Sequence, residues 1–209
     1  MQIAILLFER FTALDAVGPY EVLSRLPDAT VTFVAERPGV QRTDSGLMGL
    51  EADAALGELE RPDIVLVPGG PGQAALMQDG PVHEWLRAAH EHSTWTTSVC
   101  TGALILAAAG LLAGKRATTY WTALGELARM GVEAVPERYV FDGKLVTAAG
   151  VSAGIDMALA LAARIAGQST AEAIQLGIEY DPHPPFDAGS PATAPVELVA
   201  ALRARARFA

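Results

Sequence analysis

The chain has one cysteine, four histidines and, at 6%, few aromatic residues. A single thiol forms no intramolecular disulfide, so a reducing, cytoplasmic setting is expected. Long apolar runs are also missing. The N-terminal stretch MQIAILLFERF has no basic n-region, and its apolar run stops at Glu9 after six residues. Neither a signal peptide nor a membrane span is expected there. Basic charge is scarce: 15 Lys and Arg face 24 Asp and Glu, a net charge of −9 with a pI near 4.9. Such a surface repels phosphate backbones, which argues against nucleic acid as a partner. The histidines His83, His90, His92 and His183 give no metal-ligand spacing. His90 and His92 lie two apart on an expected helix and point to different faces, so no metal is expected. The G-x-G-x-x-G dinucleotide fingerprint is absent too.

What the 209 residues do contain is 51% hydrophobic content arranged in alternating patterns, enough for a single domain over 1–209 without staples. IAILLF (3–8) and DIVLV (63–67) are continuous apolar runs, the pattern of strands covered on both faces. TVTFVAE (30–36) and TWTTSV (94–99) read as further strands, and 39–50 as a hairpin or loop. Helical spacing follows each strand, at 15–26, at 81–92 with Pro81 in the first turn, and from Thr101 to a stop at Gly110 or Gly114. FDGK inside 132–150 signals a hairpin, 151–167 an apolar buried helix, and Ser169 with Glu172 a capping box. Strands alternating with helices predict an α/β fold, a mostly parallel sheet with helices on both faces. Five prolines between 181 and 195 predict an extended arm, solvated or laid across another surface. A C-terminal helix follows, with Arg203, Arg205 and Arg207 complementing the negative end of its dipole.

Ligands of open parallel sheets bind at the carboxyl ends of the strands. Three features fall there. Cys100 sits where TWTTSV gives way to a helix, among the small residues Ser98, Thr101 and Gly102. Small neighbours suit a nucleophile elbow, and unpaired N–H groups at a helix start are expected to lower the thiol pKa. The residues alone leave Cys100 open between a nucleophile and a buried small hydrophobe. PGGPG (68–72) is either a plain turn or a set of backbone donors for an oxyanion. Pro71 has no N–H, so those donors would be Gly70 or Gly72. Asp15 is either a helix-start acid or a carboxyl in an apolar pocket with a raised pKa.

Together, PGGPG, SVCTGALILAAAGLLAGKRATTYW and FTALDAVGPYEVL resemble the ThiJ/PfpI superfamily, in the same order and over nearly the whole chain. LGIEYDPHPPFDAGSP is most similar to the isonitrile hydratase branch. The resemblance implies a flavodoxin-like, amidotransferase-like fold, no cofactor, a homodimer, and hydration of a small isonitrile to an N-substituted formamide. By position it makes Cys100 the nucleophile and Asp15 the acid/base. Thr101 becomes a supporting group, Gly70 a backbone donor, and Tyr120 a pocket residue. The chain departs from relatives with histidine after the cysteine, here Thr101, and from those reading TTHW, here TTYW with Tyr120. These departures argue against peptidase or glyoxalase chemistry and leave a Cys/Asp mechanism untouched.

Two other classes share the pattern. Amidotransferase-like domains of AraC-type regulators carry an added helix-turn-helix segment, and with the chain ending at Ala209 direct DNA contact is not expected. A redox sensor would instead oxidise Cys100 beside a protonated Asp15.

Overall fold

The computed structural model describes residues 1–206. β1 (Gln2–Leu6), α1 (Ala13–Leu23) and β2 (Thr30–Ala35) open the chain, and β3 (Gly39–Arg42), β4 (Gly49–Ala52) and β5 (Ala54–Ala55) follow. Next come β6 (Ile64–Val67), α2 (Pro81–His92), β7 (Trp95–Val99) and α3 (Gly102–Ala108). The second half holds β8 (Arg116–Ala117), α4 (Leu124–Arg129), β9 (Glu133–Ala134), β10 (Tyr139–Asp142), β11 (Leu145–Ala148), α5 (Ala153–Ala166), α6 (Gln168–Gly177) and α7 (Val196–Arg205).

Seven strands form one sheet in the order β10-β11-β7-β6-β1-β2-β5. All neighbours are parallel except the β10–β11 hairpin, which turns at Gly143 with φ +61°. All four residues of β6 and all four of β11 are buried; β6 is apolar throughout, and the one polar residue of β11, Thr147, accepts the Thr118 N–H (2.8 Å). β7 differs: Thr96, Thr97 and Ser98 are fully buried in mid-sheet. Thr97 Oγ1 donates to Val65 O (2.9 Å), and Thr96 Oγ1 is bonded to His90 Nδ1 (2.8 Å).

The crossover from β1 to β2 runs toward one sheet edge and that from β6 to β7 toward the other. With one handedness for both, α1 and α2 cover opposite faces. α1 packs on α5 and α5 on α6, while α2 and α4 pack on α3. The order reverses between β1 and β6, so a crevice opens at their carboxyl ends. This is the mostly parallel, helix-covered sheet that the alternation predicted, in the flavodoxin-like form that the family resemblance implied.

The expected glycine stop of α3 is met at Gly110: the helix runs to Ala108, Ala109 caps it, and Gly110 (φ +81°) turns the chain, its N–H donating to Ala107 O (2.9 Å) and that of Leu111 to Leu106 O (3.0 Å). One local expectation fails. The capping box at Ser169 does not form. Gly167, at φ +86°, starts α6 at Gln168, which puts Ser169 inside the first turn. Glu172 instead accepts a hydrogen bond from the Gln168 side chain (2.7 Å).

Beyond α6 the chain is exposed. The Tyr180 hydroxyl ties it down by donating to Asp156 (2.6 Å), which also pairs with Arg138. Residues 181–195 hold no helix or strand, and Phe186 is 77% exposed. α7 buries none of its residues and carries Arg203 and Arg205 in its last turn. Arg207 lies outside the described residues. Among the described residues no helix is long and apolar enough to cross a membrane.

Candidate active site

Cys100 follows the last residue of β7 and has φ +58°, a left-handed conformation that costs a non-glycine residue energy. The surrounding backbone fixes it there. Its N–H points at the carbonyls of Ala148 (3.0 Å) and Ala149 (3.2 Å), and its own carbonyl accepts from Thr119 Oγ1 (2.7 Å). The turn is tight enough to demand glycine on both sides. A Cβ on Gly102 would lie 2.1 Å from the Val67 carbonyl oxygen, and one on Gly69 2.5 Å from Thr101 N. Cys100 is 6% exposed, at the base of a cavity.

β6 lies between β1 and β7, so the turn after it falls between Asp15 and Cys100. Asp15, on the first turn of α1, is fully buried. Its Oδ2 accepts from Gly69 N–H (2.9 Å), whereas Oδ1 is sealed from water without a hydrogen-bond partner of good geometry. Burial pushes this carboxyl up to about 7. The Gly69 bond and the Cys100 thiol pull it down, and the charge of Asp44 pushes it further up. Burial also raises the Cys100 thiol well above its usual value, and the Asp15 charge adds to the rise. The expected lowering by a helix start is therefore overturned. Thr101 N–H and hydroxyl do pull the thiol down, but α3 is only seven residues long and desolvation outweighs them.

The structure brings Asp15, Cys100, Thr101, Gly70 and Tyr120 together and leaves Gly72 apart. Thr101 Oγ1 accepts the Gly70 N–H (3.0 Å), so that donor is already committed within the turn. Gly72 does not line the cavity. Its N–H goes to Arg10 O (3.1 Å), and a Cβ there would sit 1.8 Å from the Glu9 carbonyl oxygen, so close packing of the turn explains this glycine. Tyr120 lines the cavity with its ring against Gly150, where a Cβ would come within 2.3 Å of the ring.

The cavity measures about 450 Å³ and is walled by residues that sequence reasoning missed. Thr12 and Asp44 come from the crossings beside β1 and β3, joined by a hydrogen bond from Thr12 Oγ1 to Asp44 Oδ2 (3.1 Å). Thr122 contributes a buried hydroxyl oxygen with no partner among the described residues. Val151 closes one side, and α7 supplies Leu202 and Arg205. Nothing local marks Asp44 in its polar loop, and the dipole argument for Arg205 hid its second location.

The sequence profile of the DJ-1/PfpI family matches residues 1–164. The isonitrile hydratase of Pseudomonas putida is 44% identical over 206 residues, covering 99% of this chain and 90% of that enzyme. The HTH-type transcriptional regulator CdhR of Pseudomonas aeruginosa is 31% identical over 75% of this chain, which spans only 47% of that regulator. Among solved structures, a ThiJ/PfpI family protein from Pseudomonas syringae superposes with a TM-score of 0.94 at 36% identity, over 98% of this chain and 85% of that one. Drosophila melanogaster DJ-1beta shares the fold, with a TM-score of 0.78 at 22% identity, over 85% of this chain and 97% of that one. With the profile, the near full-length identity and the superposition in agreement, this chain belongs to the DJ-1/PfpI family.

Proposed function

We propose that the protein hydrates an isonitrile to an N-substituted formamide, with Cys100 as nucleophile and Asp15 as acid/base. The observation that carries this reading is a fully buried carboxyl, with a pKa of about 7, set against a thiol held in a strained turn. An isonitrile carbon accepts a nucleophile and a proton on the same atom, so its catalyst needs both groups converging on one point.

The proton inventory fits. Near neutral pH Asp15 is poised between its two forms and the thiol is protonated. The ionised carboxyl takes the thiol proton as sulfur bonds to the isonitrile carbon, then returns that proton to the same carbon. R–N≡C and Cys–SH become the thioimidate R–N=CH–S–Cys. Asp15 next removes a proton from water, whose oxygen adds to the carbon while nitrogen gains the proton. The C–S bond breaks as the carbonyl forms, and the thiol recovers the hydroxyl proton. The sum is R–NC plus H₂O giving R–NH–CHO. Thr101 holds the turn around the thiol through Gly70, and Tyr120 walls the substrate space.

Formamide production from a simple alkyl isonitrile, followed by NMR with Cys100→Ala, Cys100→Ser and Asp15→Asn beside the wild type, tests the reading. Unimpaired turnover by Cys100→Ala rejects the covalent route. A homodimer belongs to the same reading, and light scattering that shows a stable monomer counts against it. Oxidation sensing at Cys100 is the competing use of this site. Stable stoichiometric dioxidation by intact mass, without isonitrile turnover, would favour it instead.

A further inference from the structure

We propose that α7 makes this pocket selective for small electrophiles that carry a carboxylate, with Arg205 as the residue that recognises it. Applied to the reaction, the substrate class becomes isonitriles with an anionic end. That application rests on the hydratase reading, whereas the recognition itself does not.

The family profile ends at residue 164, yet α7, over Val196–Arg205, supplies part of the wall around Cys100. Leu202, Arg205 and Ala206 all line the cavity: the spacing of three puts Leu202 and Arg205 on one face of α7, and Ala206 is the extended residue that caps it. Asp44 is the other charged side chain in that lining. Its carboxyl is already used, accepting from the Thr12 hydroxyl (3.1 Å) and from Ser45 N–H (2.7 Å). Arg205 has no ion pair and no hydrogen bond among the described residues, whereas its neighbour Arg203 lies over the Trp121 ring at 5.6 Å.

The cavity therefore has three zones. Cys100 lines its base with the Asp15 carboxyl fully buried behind it, apolar Val151 and Leu202 with the Tyr120 ring form its body, and an uncommitted guanidinium stands on the exposed helix. A planar, permanently charged fork suits a carboxylate in two-point contact. Asp44 opposes any anion that enters, so the Arg205 charge decides whether one is accepted.

Two alkylating probes of equal size and different charge read this directly. Iodoacetate and iodoacetamide both place a carbon on sulfur and release iodide, and the chain has one cysteine, so intact mass counts a single adduct. The ratio of their rates at Cys100 cancels any general change in thiol reactivity. Arg205→Glu is expected to lower the iodoacetate-to-iodoacetamide ratio about tenfold at low salt, and Arg205→Ala severalfold. Arg205→Lys keeps most of the ratio, and Asp44→Asn raises it. Because α7 buries no residue, the Arg205 changes leave the fold in place. A ratio that is the same in wild type, Arg205→Ala and Arg205→Glu overturns the proposal. A second measurement compares KM for isocyanoacetate and its methyl ester. Turnover of both with no dependence on Arg205 also overturns carboxylate selection. Absence of turnover, with the alkylation ratio still set by Arg205, rejects the hydratase reading and keeps the recognition.

Discussion

The two ends of the cavity are built on opposite principles. At the base, Asp15 is fully buried and Cys100 is 6% exposed, and the backbone of Cys100, Gly69 and Gly70 is held by hydrogen bonds. At the rim, α7 buries nothing and is joined to α6 by eighteen residues without helix or strand. Reactive groups need fixed geometry and a dry setting, which only the sheet and its turns provide. A selecting group needs reach and charge, and an exposed helix provides both while leaving the core untouched. Changes at the base should therefore be severe and indiscriminate, and changes at the rim mild and dependent on the substrate.

The largest expected effect is on the base. Cys100→Ala is expected to reduce isonitrile turnover by about 1,000-fold or more, since it removes the atom that carries the intermediate. Formamide formation measures it, and a loss of less than tenfold would place the chemistry elsewhere.

Next comes the cost of keeping Asp15 buried. Its folded pKa is raised from 3.8 to about 7. The unfolded chain therefore releases this proton at lower pH than the folded one. Below about pH 4 both forms are protonated and the group costs nothing. Stability then falls as pH rises from about 4 to 7, by about 4 kcal/mol in all, and levels off above that. Asp15→Asn removes this slope. Urea unfolding at pH 5 and pH 8 should show wild type losing stability relative to the variant, and parallel curves would contradict it.

A tight turn comes third. Gly102→Ala places a methyl group 2.1 Å from the Val67 carbonyl, a fixed backbone atom. Relieving that overlap separates α3 from β6 and is expected to cost roughly 3 kcal/mol. Thermal unfolding measures the loss, and the accompanying shift of Cys100 should slow alkylation or turnover as well.

These contrasts also explain what the sequence revealed. Continuous apolar runs such as DIVLV marked buried strands because a strand covered on both faces favours apolar side chains, although β7 shows that a buried strand can also carry threonine and serine. Gly143 and the PGGPG run marked turns because those conformations or approaches require glycine. Cys100 was visible as a thiol at a strand-to-helix junction, but its partner was not. Asp15 meets it only because β6 lies between β1 and β7, a fact of strand order, and family resemblance supplied what spacing did not. Local reasoning failed where tertiary terms compete with it. A helix start favours thiolate, yet desolvation and the Asp15 charge prevail at Cys100. Ser169 and Glu172 have capping-box spacing, yet Gly167 caps the helix two residues earlier. Asp44 and Arg205 were out of reach, since an exposed charge carries no periodic signal and only folding places it at the cavity.

The smallest effect belongs to the rim. The arm is mostly exposed, and α7 contributes no buried residue to the core. A chain ending after Tyr180 keeps the Tyr180–Asp156 bond that secures the end of α6. Removing everything beyond it is expected to change unfolding free energy by about 1 kcal/mol or less, the range of ordinary surface changes. Thermal unfolding at fixed protein concentration checks this. The truncated chain should also lose the preference for iodoacetate while its Cys100 remains alkylable by iodoacetamide, because the wall that carries Arg205 has gone and the elbow has not. Collapse of the fold on truncation would show instead that the C-terminal segment supports the base, and the separation between reacting and selecting regions would fail.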